Sequence, residues 1–134
     1  KYKKLEFNIV KCISQKRGGY MKEISNEIKK NTIAIDFDGV IHKYSKGWQG
    51  LDNAYDPPNE GAISAIRDLK SKGYRLVIFS SRTTSVINEW LKKYDLEEYF
   101  DDVTNTKIPA KVYIDDRAYH FETWGKTLKD LFND

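Results

Sequence analysis

The apolar positions of this chain come in two kinds of run. TIAIDF (32–37) and YRLVIFSS (74–81) are continuous and β-branched-rich rather than alternating, as strands covered on both faces are. KVYIDD (111–116) reads as a third strand that, like the first, ends in two acids, and DDVTNT (101–106) as a short further strand. Between them, NEGAISAIRDLKSKG places Ala62, Ile63, Ala65, Ile66 and Leu69 at helical spacing, with Asn59 as the predicted cap and Gly73 as the stop. SVINEWLKKY (85–94) predicts a second helix. The tail AYHFETWGKTLKDLF (118–132) predicts a mostly helical end broken at Gly125, and MKEISNEIKK (21–30) a short helical or irregular entry. Residues 40–58 are a polar, aromatic connection predicted to hold a small hairpin around residues 47–50. Strands alternating with helices predict an α/β fold with a doubly wound, Rossmann-like, mostly parallel sheet in three layers, α/β/α.

Length and composition add that 134 residues, 40% hydrophobic and 13% aromatic, suit one globular domain. The lone Cys12 excludes an internal disulfide, and two histidines far apart in sequence, His42 and His120, argue against a His-rich metal site. With no apolar stretch near membrane-span length and no signal-peptide pattern, the expectation is a cytoplasmic protein. Charge is unevenly placed. Residues 1–20 carry five lysines and one arginine against one glutamate, +5, which leaves −2 for the rest of a chain whose net charge is +3. The expected division is a basic leader over 1–30 and a single domain over 31–134. Two readings of the leader stand side by side: non-native sequence before Met21, or a short helix with Leu5, Ile9, Cys12 and Ile13 on one face.

The chemistry lies where strands stop. The first ends in Asp36 and Asp38, the second in Ser80 and Arg82, and the third in Asp115 and Asp116, with Lys107 in the loop before it. Ligands of open α/β sheets gather outside the carboxyl ends of the strands. If these three strands are neighbours, one mouth collects four carboxylates, a hydroxyl and two cations. Crowded carboxylates repel and need a neutralising partner, and oxygen ligands of this kind suit Mg²⁺.

Taken in order, DFDGV (36–40), VIFSSR (77–82), Lys107 and IDD (114–116) resemble the four signatures of the haloacid dehalogenase (HAD) superfamily, over about residues 31–120. The resemblance implies Mg²⁺-dependent phosphomonoester hydrolysis with Asp36 as the nucleophile that forms an aspartyl-phosphate. It implies Asp38 as general acid, then base, and Ser80 and Lys107 as phosphate-holding groups. Metal ligation would fall to Asp36, the Asp38 backbone carbonyl and Asp116, with Asp115 as second choice or outer partner. Gly39, Ser81, Arg82 and Arg117 would serve the turn, the phosphate and the substrate. Lys111 rivals Lys107 for the third signature. An acid at position 38 disfavours the dehalogenase branch, and the short spans 39–59 and 83–106 leave no room for a cap domain.

DDRAYHFETW (115–124) is also similar to the corresponding stretch of polynucleotide 3′-phosphatase modules, and small deoxynucleotidases share an IDDR-like run. The expected substrate is therefore a nucleotide or nucleic-acid terminal phosphate, with Tyr44, Trp48 and Tyr55 of the flap either touching it or packing the flap down. No Walker loop is present. The alternative reading is a noncatalytic HAD-like module that binds a phosphorylated ligand or partner; a third is a nucleic-acid binder acting through its basic arm.

Overall fold

The computed structural model describes residues 19–133, and both readings of the leader fall largely outside them. Helix α1, Gly19–Asn31, forms the entry segment. It ends in Lys29 and Lys30, cations that suit the negative end of the helix. The next residue, Thr32, returns its hydroxyl to the Ile28 carbonyl at 2.6 Å. The chain then passes without a loop into β1, Thr32–Ile35.

Four parallel strands follow the order β3-β2-β1-β4, where β2 is Arg75–Phe79, β3 Asp102–Thr104 and β4 Val112–Ile114. Helix α2, Ala62–Ser71, joins β1 to β2. Helix α3, Thr84–Lys93, and a 3-10 turn, Glu97–Tyr99, join β2 to β3. The fold is α/β and Rossmann-like, as its alternating pattern predicts, and among the described residues no cap domain interrupts it. The register aligns Ile33 with Leu76 and Ile35 with Ile78, so these four share one face. That face packs with Ile66, Ile87, Trp90, Leu91 and Leu96 in the core. Val112 and Ile114 continue the same rows beyond β1 and are exposed. On the opposite face Thr32, Ala34 and Val77 are buried. There the rings of Phe79 and Tyr113 meet edge to face at 5.6 Å. No helix among the described residues is long and apolar enough to cross a membrane.

Three local expectations are corrected. The segment 40–58 holds no hairpin. It is an irregular flap closed at its base by an antiparallel bridge between His42 and Pro58 and joined to the end of the first signature by a bridge from His42 to Asp38. Side chains shape it from within: the Tyr55 hydroxyl accepts the Lys46 N–H and donates to the Gly47 carbonyl, both at 2.8 Å, while Asp56 accepts the Ser45 N–H at 2.6 Å. Asn59 does not cap α2. It closes the turn before the helix by accepting from Glu60 and Ala62, and left-handed Gly61 (φ 79°) occupies the cap position. Finally, the tail is not helical from residue 118, and Gly125 is no break. Helix α4 is Trp124–Phe132, started by Thr123, whose hydroxyl accepts the Lys126 N–H.

Candidate active site

In a sheet ordered 3-2-1-4 the chain leaves β1 toward β2 on one side and returns to β4 on the other. The crevice at the carboxyl ends of β1 and β4 is therefore the topological switch point. Asp36 is placed there by one ladder bond beyond the strand: its N–H donates to the Ile114 carbonyl at 2.8 Å. The two residues that follow β4 are Asp115 and Asp116. Asp36, Asp115 and Asp116 each present a carboxylate oxygen, all within 4.8 Å of one another.

A tight turn follows Asp36. The Phe37 carbonyl accepts from the N–H groups of Val40, Ile41 and His42, and the Phe37 ring is fully buried. Gly39 takes φ 82°, and a Cβ there would stand 2.4 Å from Asp116 Oδ2. A glycine is required on both counts, and its missing side chain is what lets Asp116 close on the turn. Because β1 ends at Ile35, strand alternation does not aim Asp38; this turn does.

Electrostatics divides the two acids of the first signature. Burial pushes the Asp36 pKa up to about 7; the Phe37 N–H opposes this, and the negative charges of Asp115 and Asp116 add to it. None of these three carboxylates is in an ion pair among the described residues. For Asp38, burial also works upward, but hydrogen bonds from His42 and Arg82, with the Arg82 charge, hold it below the ordinary carboxylate value. Arg82 Nε donates to Asp38 Oδ2 and Nη2 to Oδ1, both at 3.1 Å, and the guanidinium is buried. Arg82 Nη1 donates to the carbonyls of Gly50 and Leu51 at 2.9 Å, so one side chain ties the acid to the flap. Trp48, 54% exposed, lies over this guanidinium with 5.0 Å to the ring centre.

Ser80 is buried beyond β2. Its N–H donates to the Thr104 carbonyl at 3.0 Å, and its hydroxyl accepts the Arg82 N–H at 3.1 Å. Ser81 is exposed. Arg117 closes its N–H on Asp115 Oδ1 at 2.8 Å, with its side chain exposed. Lys107 is exposed in the loop after β3, its ammonium 5.4 Å from the Tyr113 ring centre, and it forms no ion pair with the acids. Lys111 is at the other end of the sheet: its N–H donates to the carbonyl of Thr32, the first residue of β1, and its ammonium to the Tyr74 hydroxyl at 3.0 Å. Of the two candidate lysines, only Lys107 follows a strand on the carboxyl side.

Sequence patterning did not single out His42, Asp56 or Trp90 for the site. His42 is fully buried, with Nδ1 2.8 Å from Asp38 Oδ1 and Nε2 accepting the Asp56 N–H at 2.9 Å. Trp90 Nε1 donates to the Asp56 carbonyl at 2.8 Å. No periodicity marks His42, since only the turn over 37–42 brings its ring back to Asp38. Of the flap aromatics, Tyr55 packs within the flap and against His42, while Trp48 stays at the rim.

A Rossmann-like sheet with three carboxylates at its switch point belongs to the α/β proteins whose ligand site lies at the carboxyl ends of the strands. Residues 4–109 match the haloacid dehalogenase-like hydrolase family, and the chain belongs to that family. Its members generally use a metal ion. A solved structure of a conserved protein from Bacteroides thetaiotaomicron is similar at 23% identity and a TM-score of 0.51, over 76% of this chain and 89% of that one. At that identity the likeness speaks to fold alone. Comparison with curated proteins gives no match.

Proposed function

We propose that this chain is a Mg²⁺-dependent phosphomonoester hydrolase that works through an aspartyl-phosphate on Asp36. The observation that carries the reading is the convergence of Asp36, Asp115 and Asp116 within 4.8 Å at the switch point. Three hard oxygen donors, with the Asp36 pKa raised chiefly by burial and further by the charges of Asp115 and Asp116, fit a divalent cation of the Mg²⁺ type. Those three carboxylates with the Asp38 carbonyl would hold it, and when bound it would neutralise the acids and the phosphoryl oxygens.

In this reading an ionised Asp36 oxygen attacks phosphorus, the ester P–O bond breaks, and the leaving oxygen takes a proton from Asp38. Water then attacks the aspartyl-phosphate while Asp38 accepts its proton; the P–O bond to Asp36 breaks and phosphate departs. Ser80 and Lys107 hold the phosphoryl oxygens. Because Arg82 and His42 keep Asp38 ionised, the second step is better served than the first, which favours esters with good leaving groups. The substrate class is a nucleotide or nucleic-acid terminal phosphate. The IDDR-like stretch supports it, and exposed Trp48 offers a ring at the rim.

Hydrolysis of an aryl phosphate with Mg²⁺ and with EDTA, using Asp36→Asn as control, tests the reading. Metal-dependent turnover lost in the variant is expected. No turnover, with no beryllofluoride-induced stabilisation of the wild type, overturns it in favour of a binding module.

A further inference from the structure

His42 has two ring nitrogens in different surroundings, and the backbone decides which carries the proton. The Asp56 N–H can only donate, and it reaches Nε2 at 2.9 Å. Nε2 is therefore the acceptor, and the proton sits on Nδ1, 2.8 Å from Asp38 Oδ1. The ring has no freedom to flip. It is fully buried, stacked on Phe37 at 5.2 Å and 16°, and edged by Tyr55 at 5.2 Å and Trp90 at 5.9 Å. Asp56 is itself fixed, its carbonyl held by Trp90 and its carboxylate by the Ser45 N–H.

Asp38 Oδ1 takes hydrogen bonds from His42 Nδ1–H and Arg82 Nη2–H, while Oδ2 takes one from Arg82 Nε–H and also lies 3.0 Å from Arg82 Nη2. The guanidinium meets both oxygens, and what distinguishes them is His42, which holds Oδ1 alone. We propose that His42 is a positioning residue, locked by the Asp56 N–H as the Nδ1–H tautomer, that fixes the orientation of the Asp38 carboxylate for its work on the leaving oxygen and the attacking water. The assignment rests on the phosphatase reading above for the reaction it serves, and on hydrogen-bond geometry for the contact itself. It makes the flap part of the catalytic apparatus, because Asp56 sets the tautomer and Gly50 and Leu51 hold the arginine that completes the clamp.

The test pairs spectroscopy with kinetics on the full chain. Long-range ¹H–¹⁵N NMR of histidine-labelled protein is expected to show His42 as the Nδ1–H tautomer, with exposed His120 as internal comparison. On an aryl phosphate, His42→Ala is expected to lower kcat by about 10- to 100-fold with KM within about twofold, the signature of a misaimed group. His42→Asn presents an amide donor at the δ position and is expected to recover most of that loss, whereas His42→Gln is not. Should His42→Ala fail to fold, the Asn and Gln pair carries the comparison. An Nε2–H tautomer in the wild type, an unchanged kcat, or equal activity of the Asn and Gln variants overturns the proposal. If the wild type turns over no phosphate ester, the phosphatase reading falls, and the tautomer alone decides the positioning contact.

Discussion

Raising the pH of the metal-free protein from 4 to 8 is expected to destabilise it through Asp36. This carboxyl rises from 3.8 to about 7 on folding, burial being the main cause. A raised acid costs nothing while both states are protonated. Between 3.8 and about 7 the unfolded chain gives up the proton and the folded chain keeps it, so stability falls as pH rises through that window and levels off above it. At ~1.36 kcal/mol per pH unit the ceiling is about 4 kcal/mol. Asp36 is only half-buried, so solvent screens much of this, leaving about 2 kcal/mol. For a chain of this size that corresponds to roughly 7 °C in Tm. Asp38 has the opposite sign, since its held-down pKa adds stability that is lost only as pH falls through its lowered value. The assay therefore compares Tm against pH for the wild type and Asp36→Asn in EDTA, where the Asp38 contribution largely cancels. The difference curve is expected to grow from pH 4 to 7 and then flatten. Excess Mg²⁺ is expected to erase it in the wild type, adding about 2.7 kcal/mol at a hundredfold excess over Kd. Parallel wild-type and variant curves, or no Mg²⁺ effect, would refute the assignment of Asp36, Asp115 and Asp116 as a strained cation site.

Gly39→Ala sets a Cβ 2.4 Å from Asp116 Oδ2 on left-handed backbone. It is expected to weaken Mg²⁺-induced stabilisation by at least about tenfold in apparent Kd, about 1.4 kcal/mol, measured by thermal shift against Mg²⁺ concentration. Arg82→Ala leaves the clamped Asp38 carboxylate short of its cation and the Gly50 and Leu51 carbonyls without their donor, and is expected to cost about 3 kcal/mol in urea unfolding. Arg82→Lys is expected to recover little of it, because the fork is lost. Lys107→Ala is expected to lower aryl phosphate turnover at least about tenfold with Tm nearly unchanged. Lys111→Ala, on the amino end of the sheet, is expected to leave turnover within about twofold; equal losses from both would remove Lys107 from the phosphate site.

What the sequence determined by itself was local. Continuous apolar runs gave TIAI, RLVIF and VYI as strands, and helical spacing placed Ile66 on a buried face, because side-chain period is written directly into residue order. Acids at strand ends were visible for the same reason. Helix starts were less legible: Asn59 and residues 118–123 carry capping chemistry, but left-handed Gly61 and the hydroxyl of Thr123 are where the helices begin. Only the tertiary structure decided that β4 pairs with β1, which sets Asp115 and Asp116 against Asp36 and sends Lys111 to the opposite edge. It alone joined Arg82 to Asp38 across 44 positions and His42 to Asp56 across 14. Such pairings leave no local trace, since strand order and the packing of the flap, not neighbouring residues, bring those atoms within hydrogen-bond reach.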